Sequence, residues 1–167
     1  KALVFENPKS ARRAIDLLSD LLRSSLYEKE HTTISIAEEM ALVKDYVELE
    51  KLRFEERLNI TFNIDNTLEN FKIPPLSIQL LVENAIKHGI DKQLEGGTVE
   101  ISVQKKYDHV VISVKNPGNL SKGKHRGVGL KNLNERLLLQ YEGRAEFKVE
   151  TPSENKVVAT LMIPIEN

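Results

Sequence analysis

Residues 81–89 read Leu81-Val82-Glu83-Asn84-Ala85-Ile86-Lys87-His88-Gly89, and a second stretch, Gly127-Val128-Gly129-Leu130-Lys131-Asn132-Leu133-Asn134-Glu135-Arg136, answers them downstream. Read as a helix, the first sets Asn84, Lys87 and His88 along one side, because residues three and four apart are neighbours there. An amide, an ammonium and an imidazole offer a ligand oxygen, a point charge and a flat ring. In the second stretch two glycines stand just ahead of a helix. Glycine lets backbone N–H groups approach a phosphate closely, and a helix N-terminus favours anions. Between the two lies Val114-Lys115-Asn116-Pro117-Gly118, at the end of an apolar strand. Together these stretches point to a nucleotide site.

Pro74-Pro75 cannot sit inside a helix but suits a helix start, so the helix carrying Asn84 is expected to begin there. Upstream, Ser35-x-x-Glu38 is a capping box opening a helix whose buried face is Ile36, Met40, Val43 and Val47. Leu58-x-Ile60-x-Phe62-x-Ile64 alternates and predicts a strand. Val99-x-Ile101-x-Val103 and Val110-x-Ile112-x-Val114 predict a hairpin turning near Tyr107-Asp108. A helix is expected over 128–141 and two last strands over 145–151 and 157–163. Antiparallel strand pairs with helices on one face imply an α/β (α+β) fold, a two-layer sandwich. At the other end, Asn7-Pro8 opens a helical pattern with Ile15, Leu18, Leu22 and Leu26, broadened by Leu17 and Leu21. That wide apolar face either packs on the rest of the chain or joins a helical bundle whose other members lie elsewhere. The polar run 28–33 reads as a linker.

Bulk properties bound the function. The chain has 167 residues, 24 Lys+Arg against 25 Asp+Glu and a net charge of −1, so no global basic field invites nucleic acid. Hydrophobic residues make up 40%, ordinary for a folded domain. With no cysteine, disulfides and thiolate zinc sites are excluded, which fits a cytosolic setting. No apolar run approaches the roughly 20 residues of a spanning helix, and no secretory signal is visible. Lys1 in place of Met is expected of a piece of a longer chain.

Each candidate residue has a plain alternative. A solitary Asn, Lys or His on a helix is mostly solvated or a cap, and Gly-x-Gly occurs in many loops. As a ligand, Asn84 would supply one amide oxygen to the Mg²⁺ of ATP, an ion that keeps several waters and takes few protein ligands. Glu83 would orient or deprotonate an attacking group, or stand behind the metal. Lys87 would reach a phosphate, and His88 would pack by ribose or adenine. Residues 119–127, with Lys122, Lys124, His125 and Arg126, are either a solvated charge run or a lid whose cations meet the β- and γ-phosphates. Asn116 either accepts from an adenine amino group or serves simple turn chemistry in Asn-Pro-Gly.

The combination of Ile73-Pro74-Pro75-Leu76, Glu83-Asn84-Ala85-Ile86-Lys87-His88-Gly89, Val114-Lys115-Asn116-Pro117-Gly118 and Gly127-Val128-Gly129-Leu130 is highly specific. It resembles the catalytic end of LytS-type sensor histidine kinases, within the Bergerat (GHKL) ATPase fold. The likeness also takes in Leu21–Leu26, Glu38-Glu39 through Tyr46 to Arg53-Phe54, Glu135-Arg136-Leu137 and Ile163-Pro164. The resemblance implies ATP and Mg²⁺ as cofactors, with Glu83 and Asn84 catalytic and Asn84 the metal ligand. It makes Asn116 and Gly118 the adenine-reading box. It makes Gly127, Val128, Gly129 and Leu130 the box that closes over phosphates, with Lys87, His88, Lys124 and Arg126 as further nucleotide contacts. It implies residues 1–32 as part of a dimerisation and phosphotransfer hairpin with its linker, and 33–167 as the catalytic domain. It further implies a response-regulator receiver domain as partner, a homodimer in the full-length kinase, and a cytoplasmic domain of a membrane sensor.

Three positions depart from the family pattern. The adenine-reading position is usually Asp and is Asn116 here; a second glycine expected after Gly118 is Leu120; and Lys156-Val157 replaces a usual Gly-Thr. The family's acceptor histidine sits in an Asn-Pro-His-Phe motif, and none of His31, His88, His109 or His125 has that setting. Two other readings stay open on sequence alone. One is another GHKL ATPase or serine kinase, against which the 7–30 helix argues. The other is a degenerate, nucleotide-independent interaction module.

Overall fold

The structure, a computed structural model, describes residues 33–119 and 128–165, together with Ala11, Ala14 and Leu18. Those three N-terminal positions are helical, and the rest of the 7–30 segment lies outside the described residues. A short strand β1 (Ile34–Ser35) leads into helix α1 (Ile36–Phe54). Ser35 closes the expected capping box. Its Oγ accepts from the Glu38 N–H at 3.2 Å, and the Glu38 carboxylate accepts from the Ser35 N–H at 2.9 Å. The buried face of α1 is the predicted Ile36, Met40, Val43 and Val47, joined by Phe54 and, unexpectedly, by Glu39.

Strand β2 (Leu58–Ile64) follows, and β3 (Lys72–Ile73) returns to pair antiparallel with β1. Helix α2 (Ser77–His88) begins two residues after Pro74-Pro75. Its fully buried positions Ile78, Leu81, Val82, Ala85 and Ile86 fall on one stripe. The same period turns Glu83, Asn84, Lys87 and His88 away from the core. Strands β4 (Gly97–Lys106) and β5 (His109–Pro117) form the predicted hairpin about Tyr107-Asp108. Helix α3 (Val128–Gln140), β6 (Glu146–Ser153) and β7 (Lys156–Pro164) complete the order.

The main sheet runs β2-β4-β5-β7-β6. The antiparallel pairs expected from the sequence are β4 with β5, β5 with β7 and β6 with β7, whereas β2 and β4 are parallel, from Leu58↔Gly97 to Ile64↔Val103. The chain crosses back through α2 between them, so β4 starts at the end where β2 started. Val99, Ile101, Val103, Val110, Ile112, Val114, Leu161 and Ile163 form one buried row under α1, α2 and α3. The opposite face carries polar pairs such as Lys115 and Glu100, 3.7 Å apart. Helices thus cover one face of a mixed sheet, the two-layer α/β arrangement expected. Among the described residues no helix is long and apolar enough to cross a membrane.

Candidate functional site

The site is organised by α2. Its N-cap residue, Leu76, is left-handed (φ 61°) and provides no side-chain cap. The missing acceptor comes from α1. Glu39 Oε2 accepts from the Leu76 N–H at 2.9 Å, and Oε1 accepts from the N–H groups of Ile78 (2.9 Å) and Gln79 (3.2 Å). Burial pushes the Glu39 carboxyl up to about 7, against the pull of those three N–H bonds and of Arg136 on α3. Sequence reasoning missed this contact. The clue was a carboxylate three residues after Ile36 and one before Met40, inside an apolar stripe.

Asn84 is half-buried, and its Nδ2 donates to the Leu80 carbonyl at 2.7 Å. That bond anchors the amide nitrogen to the helix and makes no use of Oδ1. A neutral oxygen on a rigid helix fits a hard cation. Among the described residues no cluster of three or more His, Cys, Asp or Glu could hold a metal. A cation at Asn84 would therefore rest mainly on phosphate and water, as Mg²⁺ does with nucleotides.

Glu83 faces back toward α1. Its Oε1 accepts from Gln79 Nε2 at 3.0 Å. Burial raises the Tyr46 hydroxyl above its usual range, with the Glu50 and Glu83 charges adding to the rise. Burial also raises Glu50, with Asp91 and Glu83 working in the same direction. Lys87 and His88 are exposed at the end of α2.

Beyond α2 the chain turns at Gly89, whose close packing joins the helix to β5. A Cβ there would stand 2.5 Å from the Ala85 carbonyl, 2.6 Å from Asn116 Nδ2 and 2.9 Å from the Pro117 carbonyl. Asn116 is buried at the end of β5 and donates Nδ2 to the Pro117 carbonyl at 2.8 Å. Gly118 has φ +127°, a region L side chains rarely adopt, and its position lies close to the His88 carbonyl and Gly89. Its N–H donates to Asn155 at 3.1 Å, while Asn119 Oδ1 accepts from the Asn155 N–H. Val157, in the departed Gly-Thr position, is the cross-strand partner of Asn116.

The start of α3 meets α2 as well. A Cβ on Gly129 would touch Leu80 Cδ2 at 3.0 Å, on the residue whose carbonyl holds Asn84. Leu130 is buried in the core, so only its backbone is left for a ligand. Lys124, Arg126 and Gly127, with Lys122, His125 and Leu120, lie outside the described residues, as does the Val128 side chain.

This architecture is matched by solved histidine-kinase catalytic domains. The nucleotide-free catalytic domain of the histidine kinase ThkA aligns over 80% of this chain and 95% of its own, with a TM-score of 0.56 and 23% identity. ThkA in complex with the response regulator TrrA aligns over 91% of this chain and 48% of that one, with a TM-score of 0.58 and 19% identity. The fold is that of histidine-kinase catalytic domains.

The sequences carry the relationship further. A family model described as histidine kinase matches residues 1–58. The sensor protein LytS of Enterococcus faecalis is 30% identical over 179 residues, covering 99% of this chain and 30% of the relative. The sensor histidine kinase/phosphatase LytS of Staphylococcus aureus is 34% identical over 167 residues, covering 91% of this chain and 29% of the relative. The chain is homologous to the LytS sensor histidine kinases along nearly its whole length, and it spans less than a third of theirs.

Proposed function

We propose that this chain is the ATP-binding catalytic part of a two-component sensor histidine kinase. Residues 33–167 form its nucleotide-binding domain, and residues 1–32 belong to the dimerisation and phosphotransfer helices with their linker. The γ-phosphate of ATP passes to a histidine outside this chain, in a homodimeric parent, and then to the receiver domain of a response regulator. The parent is a membrane sensor, and this part is cytoplasmic.

The observation that carries the reading is that Asn84, Asn116, Gly118 and Gly129 lie along α2, Gly129 against Leu80 and Asn116 and Gly118 against the turn at His88-Gly89. Asn84 would hold Mg²⁺ through Oδ1, and the ion would offset charge on the phosphates. Asn116 Oδ1 receives the adenine amino group at the end of β5, with Gly118 keeping that edge open. His88 lies beside the sugar or base. Lys87, Lys124 and Arg126 meet phosphate oxygens, and the backbone from Gly127 through Val128 and Gly129 to Leu130 lies along them at the start of α3. Glu83, next to Asn84, is the candidate base, with one oxygen already accepting from Gln79.

Calorimetric titration tests this. The protein is expected to bind Mg-ATP, and Asn84→Ala to weaken that binding at least about tenfold, or 1.4 kcal/mol, with an unchanged urea midpoint. Supplied with a separate Asn-Pro-His-Phe helical hairpin, it is expected to phosphorylate the hairpin and not itself. Equal Mg-ATP affinity in the variant would remove Asn84 as the metal ligand.

A further inference from the structure

Glu39 is a fully buried carboxylate in the middle of an apolar helix face. An unpaired charge there would be very costly, and even a paired one loses several kcal/mol of hydration. Its environment offsets that cost in one direction only. All three of its hydrogen bonds come from the opening turn of α2, where N–H groups without an intrahelical acceptor and the helix dipole favour an anion. A Ser, Thr or Asp at position 76 is the usual local way to satisfy such donors. Here the residue at that position is Leu76, in a left-handed conformation, and the cap is delivered from 37 residues upstream. The start of α2 is therefore bonded to α1 rather than closed upon itself. Arg136 on α3 acts on the same carboxylate through its charge, so all three helices share this one buried group.

The position of this contact matters. Glu39 lies in the first turn of α1, directly after the point where the chain arrives from residues 1–32. Asn84 lies on α2 about 8 Å further along the axis than Gln79, at a rise of about 1.5 Å per residue. Between them is continuous helix, so the start of α2 sets the axis on which Asn84 is carried. A displacement of α1 at Glu39 thus carries Asn84 with it.

We propose that Glu39 is a positioning residue for the nucleotide site. Its carboxylate fixes the start of α2, and with it the aim of Asn84, to the helix through which the N-terminal segment enters. The proposal rests on Asn84 being the Mg²⁺-nucleotide contact, and the test separates the two. The variants are Glu39→Gln, which keeps the volume but turns one acceptor into a donor facing Leu76, and Glu39→Asp, which keeps the charge but shortens the reach. Two quantities are measured on the whole chain. The first is amide hydrogen exchange over Ile78–Ala85 without nucleotide. The second is affinity for ADP in EDTA compared with affinity for Mg-ATP.

Both variants are expected to speed exchange across α2. Both are expected to lower Mg-ATP affinity about tenfold while ADP affinity in EDTA stays within about twofold, because the adenine end rests on Asn116 and not on the start of α2. A general loosening of the fold would instead weaken both ligands together, and that result overturns the proposal. So does unchanged exchange over Ile78–Ala85 in both variants, or faster exchange with unchanged Mg-ATP affinity. If exchange rises while the unaltered protein gains nothing from Mg²⁺, the coupling of α1 to α2 stands and the reading of Asn84 falls.

Discussion

Gly89→Ala probes the joint between α2 and β5. The added Cβ would lie 2.5 Å from the Ala85 carbonyl oxygen, 2.6 Å from Asn116 Nδ2 and 2.9 Å from the Pro117 carbonyl oxygen. Favourable contacts between non-bonded heavy atoms lie nearer 3.5 Å, so helix and strand must part by roughly 0.5–1 Å at Asn116 and Pro117, and the last turn of α2 must open at Ala85. Two of the three atoms are backbone, and the third is an amide already donating to the Pro117 carbonyl at 2.8 Å. None can swing aside as a flexible side-chain end can. Overpacking of this kind costs about 1–3 kcal/mol. Replacing Gly by Ala returns about 0.4–1 kcal/mol by restricting the unfolded chain, since φ −94° at Gly89 is open to alanine. The net loss is about 1–2 kcal/mol. At about 2–4 °C per kcal/mol for a chain of this size, the melting point drops by roughly 2–8 °C. The displaced group is Asn116, so ADP affinity in EDTA should also fall, by about tenfold for a loss of 1.4 kcal/mol. Urea denaturation followed by circular dichroism gives the first number and calorimetric titration the second. A midpoint and an ADP affinity both equal to the unaltered protein would refute the close packing of α2 on β5. Gly129→Ala is the control for the stability reading alone, because among the described residues its Cβ meets only the end of the Leu80 side chain at 3.0 Å, which can rotate.

Two further outcomes are expected. Asn116→Asp should tighten ADP binding, since a charged acceptor makes hydrogen bonds roughly twice as strong. It should also lower stability by about 1–3 kcal/mol, since it removes the donor to the Pro117 carbonyl and leaves two acceptors opposed; weaker ADP binding in calorimetry would count against Asn116 as adenine acceptor. Glu39, raised from 4.5 to about 7, gives a pH-dependent term. Between those values the folded protein holds a proton that the unfolded chain has lost, so the contribution of Glu39 to stability is fully present below 4.5 and is lost as pH rises to 7. The fall is about 3 kcal/mol at 1.36 kcal/mol per unit. Urea midpoints in that window should show it in the unaltered protein and not in Glu39→Gln, and parallel slopes would refute it.

Local pattern was enough for much of this protein. The capping box at Ser35, the two-residue turn at Tyr107-Asp108 and the stripe of α2 each depend on residues a few positions apart, so near neighbours in the chain determine them. That same stripe, by burying Ile78, Leu81, Val82, Ala85 and Ile86, dictates that Asn84, Lys87 and His88 face away from the core. The resemblance that marked the candidate nucleotide-site residues was legible for the same reason, since it lies in short contiguous motifs. Contacts between distant segments were beyond that reach. The parallel pairing of β2 with β4 depends on where α2 carries the chain, and no alternation of residues encodes the direction of a neighbour. The role of Glu39 depends on a helix start 37 residues away, whose left-handed Leu76 has no cap of its own. In the sequence Glu39 is only a charge in the wrong stripe. The tertiary structure supplies the three N–H groups that make a buried carboxylate tolerable, because hydrogen-bond donors and low dielectric act through space and not along the chain.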